Sequence, residues 1–181
     1  AAALQNFQIT VTADAVQTEN VGDNVYEAFE TVGLVKDVPI TNATDLAAAL
    51  AADGEARIVL DPNVAWDITV DYPVSDKTID FGGAEGVIEF AAGSSARNVV
   101  VTGINDKDGD GYSVITDATF TGDLTIENSV LMDKVGEGAV NPKAGDITIR
   151  DCVFEGTYDE KTYGVRANGR TGNLTIENCT F

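Results

Sequence analysis

Three stretches of the chain repeat one alternation of apolar and polar positions. GDLTIENSVL (Gly122 to Leu131), GDITIRDCVF (Gly145 to Phe154) and GNLTIENCTF (Gly172 to Phe181) start 23 and 27 residues apart. In each, an apolar pair (Leu124/Ile126, Ile147/Ile149, Leu174/Ile176) alternates with Thr or a charged residue, so one face of a short strand looks inward. Asn128, Asp151 and Asn178 interrupt the strands, because a short polar side chain tolerates a bent backbone and hydrogen-bonds along it. Beyond the bend Ser129, Cys152 and Cys179 turn inward again, followed by Leu131, Phe154 and Phe181. Looser copies are RNVVVTGI (Arg97 to Ile104) and KTIDF (Lys77 to Phe81). A period of this size with a short strand in every unit predicts a solenoid. Two strands and an Asn or Asp corner make most of a rung, and a longer third corner absorbs the variable spacing. Stacked rungs lie about 4.8 Å apart, so equivalent residues form Leu/Ile, Ser/Cys and Leu/Phe ladders.

Ahead of the repeats, TNATDLAAALAADG (Thr41 to Gly54) reads as a helix capped by Asn42 or Thr44, with Leu46 and Leu50 on its apolar face and Gly54 at its end. ARIVL (Ala56 to Leu60) and WDITV (Trp66 to Val70) read as strands around an Asp61-Pro62-Asn63 turn. Such a helix covers the open end of a solenoid. Residues 1–40 form a lead-in, cap or attachment segment, in which Phe7 to Val11 alternates like a strand and Tyr26 to Val35 suits a strand or a short helix. Residues 41–181 form the β-helix domain. Its last rung ends at Phe181 without a polar cap, which predicts a continuation or a covering chain beyond 181.

Charge narrows the partners. Asp and Glu number 30 against 11 Lys and Arg, a net charge of -19 that disfavours nucleic acid and attracts divalent cations. Histidine is absent, which removes histidine acid-base chemistry and the commoner catalytic zinc sites. No run of 18 apolar residues is present to span a membrane as a helix. The two cysteines, Cys152 and Cys179, become rung neighbours in this register, either as buried ladder thiols or as an inter-rung disulfide.

The helix, ARIVLDPNVAWDITV, RNVVVTGI and the three repeat units together resemble the single-stranded right-handed parallel β-helix superfamily, which includes pectate lyases, polygalacturonases and phage tailspikes. The resemblance covers about residues 41–181. It implies an all-β, right-handed parallel β-helix with a short capping helix, and a carbohydrate-related role: cleavage, binding, or a rigid extracellular spacer. Pectate lyases use calcium, acidic ligands and an outward arginine. Arg150 is in a comparable outward position, but its rung neighbours Thr125/Glu127 and Thr175/Glu177 do not supply that cluster. Polygalacturonase chemistry needs aspartates with a histidine, which this chain lacks.

One loop carries a metal-ligand pattern. In NDKDGDGYSVITD, counting Asp106 as position 1 puts Asp108 at 3, Asp110 at 5, Gly111 at 6, Tyr112 at 7 and Asp117 at 12. This is similar to an EF-hand-type Ca²⁺ loop, with carboxylates at 1, 3 and 5, a glycine turn, a carbonyl from Tyr112 and a closing carboxylate. Aspartate in place of glutamate at position 12 reaches less far, and a strand rather than a helix precedes the loop. The ligands are local, so the expected ion fixes the loop and does no chemistry. A second loop, Gly156 to Arg170, gathers Tyr158, Lys161, Tyr163, Arg166 and Arg170, candidates for gripping an acidic sugar or a protein partner. Trp66 reads as core or cap packing. The resulting expectation is a calcium-stabilised, noncatalytic structural or adhesion protein, extracellular, on the cell surface or in a virion, that self-associates or joins a larger assembly. The alternatives are a fragment of a polysaccharide lyase or hydrolase and a carbohydrate-binding module.

Overall fold

The computed structural model describes residues 36–107, 111–133, 136–156 and 162–181. The expected elements at 7–11 and 26–35 lie outside the described residues. Strand β1 (Lys36–Ile40) is followed by helix α1 (Ala43–Ala51), then β2 (Ala56–Leu60), β3 (Trp66–Val70), β4 (Pro73–Asp80), β5 (Gly86–Phe90), β6 (Ser95–Thr102) and β7 (Val114–Thr116). The remaining strands are β8 (Thr121–Glu127), β9 (Val130–Asp133), β10 (Val140–Pro142), β11 (Asp146–Arg150), β12 (Val153–Gly156) and β13 (Leu174–Glu177). They stack as a right-handed parallel β-solenoid. One sheet runs β1-β2-β4-β6-β8-β11-β13, a second β10-β7-β5-β3, and a third pairs β12 with β9.

The ladders follow from the alternation. Ala56, Lys77, Val99, Leu124, Ile147 and Leu174 share one row, and Ile58, Ile79, Val101, Ile126, Ile149 and Ile176 share another. Apart from Lys77 these rows are apolar, and from Ile58 to Ile149 the second row is buried throughout. Each such side chain contributes roughly 1.5–3 kcal/mol by leaving water. The corners at Asn128, Asp151 and Asn178 have φ of 49°, 54° and 52°, the left-handed region that Asn and Asp tolerate best. Asp76 and Asn98 adopt the same conformation inside β4 and β6, beside a register shift between Ala96 and Val99. Leu131 stands opposite Phe154, and the rings of Phe154 and Phe181 stack with centroids 4.7 Å apart.

Helix α1 starts where Asn42 accepts a hydrogen bond from the Asp45 N–H at 3.0 Å. Leu46 and Leu50 are buried in the same continuous core as the strands. Strand β1, ahead of residue 41, lies beside β2 at the edge of the first sheet. The third corner is not merely a loop: β5, β7 and β10 continue the sheet begun by β3. Two of these, β7 and β10, are three residues long, too short for a period to show in the sequence.

Lys77 is the exception in the ladders. Its side chain is buried, and Nζ donates to the carbonyls of Gly54 and Ser75, the latter at 3.1 Å. It ties the turn after α1 to the second coil. Lys77→Ala should lose about 2–4 kcal/mol of stability, through the cavity and the two carbonyls left unpaired. Lys77→Met fills most of the cavity but leaves the same two carbonyls unpaired, so it should lose less than the alanine variant without being neutral. Urea denaturation of both variants measures the difference, and equal losses would show that the amine rather than the packing carries the effect.

Candidate functional site

The acidic loop sits where β6 gives way to β7. Asp106 follows the bridge between Asn105 and Val130, and its N–H donates to the Val130 carbonyl at 3.0 Å. The carboxylate is buried, and Oδ2 accepts the Ser113 hydroxyl at 2.6 Å. Tyr112 is partly exposed and its hydroxyl donates to Glu89 at 3.4 Å. Burial, then the adjacent Glu89, with Asp67 and Glu137 further off, pushes the Tyr112 phenol above its usual range. Trp66, Asp67, Glu85, Asp106 and Tyr112 help to line a cleft of about 390 Å³.

Val114 to Thr116 form β7, with Val114 fully buried between Ile88 and Val140, so the last third of the proposed twelve-residue loop is a rung of the second sheet. An extended chain rises about 3.3 Å per residue. Asp117 thus stands roughly 13 Å along the chain from Ser113, the partner of Asp106. Its Oδ1 accepts the Thr119 N–H at 2.8 Å and the Thr119 hydroxyl at 2.7 Å. Those hydrogen bonds hold its carboxyl below the ordinary range. These hydrogen bonds fix the turn into Phe120. Asp108 and Asp110 lie outside the described residues. Among the described residues no cluster of three or more Asp, Glu or Cys side chains is arranged around a metal position.

The second candidate loop is likewise divided. Tyr158 and Lys161 lie outside the described residues. Tyr163 is exposed. Arg166 donates to the Gly136 carbonyl at 3.0 Å and stands 3.9 Å from Glu137. Arg170 donates to the carbonyls of Gly145, Gly172 and Asn173 at 2.6, 2.8 and 2.9 Å. The two guanidiniums serve separate stretches of backbone. Arg150 faces outward, and its Nε donates to Glu127 at 2.7 Å, with Glu177 in register on its other side. Trp66 is buried, and its indole N–H donates to the Asp61 carbonyl at 3.1 Å, which makes it a core residue.

No protein-family model, curated protein or solved structure matches the chain.

Asp133 accepts four backbone N–H groups, and the sequence does not single it out. It ends β9 fully buried and accepts N–H groups from Gly136, Glu137, Gly138 and Tyr163 at 2.8–3.3 Å. In MDKVGEG it reads as an ordinary polar turn. Only the approach of the next coil, through Tyr163, shows that it is enclosed.

Proposed function

We propose that this chain is a noncatalytic structural unit of an extracellular, cell-surface or virion assembly, used for display, adhesion or packing into a larger body. The observation that supports it best is where the basic side chains go. Arg57 bonds Asp80, Arg97 bonds Asp76, Arg150 bonds Glu127, Arg166 bonds Gly136, Arg170 bonds Gly145 and Lys77 bonds Gly54. Each partner is 21 to 30 residues away, one coil along the solenoid. Cations placed this way lace coil to coil.

Calcium belongs to the same reading. It is supported by the carboxylate spacing of Asp106, Asp108 and Asp110 and by the charge of -19. Tyr112 would add its carbonyl, and Asp117 the closing carboxylate. The closely spaced carboxylates repel one another, so an ion that binds only the folded loop adds stability. Saturating Ca²⁺ should raise the melting temperature by about 5 °C or more over the chelated protein, and Asp106→Ala/Asp110→Ala should abolish the rise. No shift would return the loop to a solvated turn. The noncatalytic part is tested separately, by following release of reducing ends and unsaturated sugars from a panel of acidic and neutral polysaccharides. Product formation that Arg150→Ala or Arg170→Ala abolishes would overturn it.

The cleft beside Tyr112 supports a second reading, a carbohydrate-binding module. There an aromatic ring stands among carboxylates that can accept sugar hydroxyls. Retention of a polysaccharide in affinity electrophoresis, lost in Tyr112→Ala, would favour it.

A further inference from the structure

Cys152 and Cys179 follow the Asp151 and Asn178 corners in consecutive coils. Pairing on either side sets them opposite each other: Arg150 is in register with Glu177, and Val153 is bridged to Thr180. Their surroundings are the same, shifted by one coil. The Cys152 Sγ lies 3.2 Å from the Arg150 carbonyl and 3.8 Å from that of Ile126. The Cys179 Sγ lies 3.2 Å from the Glu177 carbonyl and 3.8 Å from that of Ile149. Two residues on, the Phe154 and Phe181 rings stack at 4.7 Å with planes 5° apart, which measures the step between these coils. Cysteines one such step apart have Cα atoms inside the disulfide window of about 4.4–6.8 Å.

We infer that Cys152 and Cys179 form a thiol–disulfide exchange site whose oxidation cross-links consecutive coils. The oxidant is a low-molecular-weight disulfide, RSSR. Cys179, the more exposed thiol, loses its proton and attacks one sulfur of RSSR, giving a Cys179–SR mixed disulfide and releasing one RS⁻, which is protonated to RSH. Cys152 then loses its proton and attacks the Cys179 sulfur, forming the Cys152–Cys179 bond and expelling the second RS⁻, again protonated. The protein loses two electrons and two protons, and RSSR gains both as two RSH. Cys152 suits the second role because it is buried and out of reach of an external disulfide. Burial pushes its thiol up to about 11, with Cys179, Asp151 and Glu127 adding to the rise and the Ser129 N–H opposing it. It reacts when the electrophile is delivered one coil away.

The test uses the full chain at low concentration with glutathione disulfide, followed by intact mass, thiol alkylation after unfolding, and peptide mapping. The expected product is two mass units lighter, has no alkylatable thiol, gives a cross-linked peptide pair carrying Cys152 and Cys179, and reverts in dithiothreitol. Cys152→Ser should stop at a glutathione adduct on Cys179, and Cys179→Ser should stay unmodified. A wild-type chain that stops at the adduct, keeps both thiols, or yields only intermolecular dimers would overturn the proposal.

Discussion

Asp133→Ala should lower the melting temperature by about 10 °C, the loss expected when roughly 3–5 kcal/mol is removed from a unit of this size. The carboxylate is 1% exposed. Its Oδ1 accepts the N–H groups of Gly136 and Glu137, and its Oδ2 those of Gly138 and Tyr163. Alanine leaves these donors facing a cavity, and each buried donor without a partner costs about 1–3 kcal/mol less whatever water can enter. Bonds to a charged acceptor are also about twice as strong as neutral ones, so a neutral replacement recovers little. Asp133→Asn keeps one acceptor oxygen and turns an NH₂ toward two N–H groups, so it should recover less than half of the loss. Thermal unfolding with amide exchange at Gly136 to Gly138 and at Tyr163 measures both variants. An alanine variant melting within about 1 °C of the parent would remove Asp133 as the organiser of these turns.

Gly122→Ala should be comparably damaging, for a different reason. Gly122 has a φ of 98°, and a Cβ built there would overlap the carbonyl oxygen of Ala96, its register partner in the preceding coil. The carbonyl is backbone and a Cβ is fixed by its own backbone, so no rotamer relieves the contact and β8 must move off β6. A strained conformation of this kind costs of order 1–3 kcal/mol by itself. With the clash added, the expected total is about 3–5 kcal/mol. Gly169→Ala is the control. Gly169 also has a positive φ, 67°, but nothing stands within 4 Å of its Cβ position, so only about 1 kcal/mol should be lost. Equal losses in a urea titration would show that conformation alone, without the coil-to-coil contact, sets the requirement.

Gly122 also shows how far the repeat was legible. The pattern identifies a glycine at the head of each unit, and Gly172 meets Gly145 as Gly122 meets Ala96, by backbone overlap. The residue type is visible in one dimension, while its cause is a neighbour some 25 residues away. The Asn128, Asp151 and Asn178 corners were legible for a local reason, since left-handed φ is a property of a residue and its own backbone. Asp76 and Asn98 escaped notice because they lie inside β4 and β6, where no interruption of the apolar rows marks them.

The acidic loop is the opposite case. Its spacing specifies which residues are available for an ion, but it cannot state whether the chain curls back between the first and the twelfth position. What the structure adds is local: Val114 is buried between Ile88 and Val140 in β7, and Asp117 beyond it accepts from Thr119. The arginines divide in the same way. Arg166 and Arg170 are four residues apart in sequence, yet each bonds the backbone of a different turn in the preceding coil.

By itself the sequence determined the solenoid, its inward rows, its Asn and Asp corners, the capping helix with Leu46 and Leu50, and the facing positions of Cys152 and Cys179. All of these depend on alternation, on local φ preference, or on a repeat that brings like residues into register. Only the tertiary structure decided the three-sheet cross-section, the burial of Lys77 and Asp133, and the engagement of Arg57, Arg97, Arg150, Arg166 and Arg170 between coils. These depend on which atoms the neighbouring coil places within reach, and contacts of that kind leave no period in the sequence.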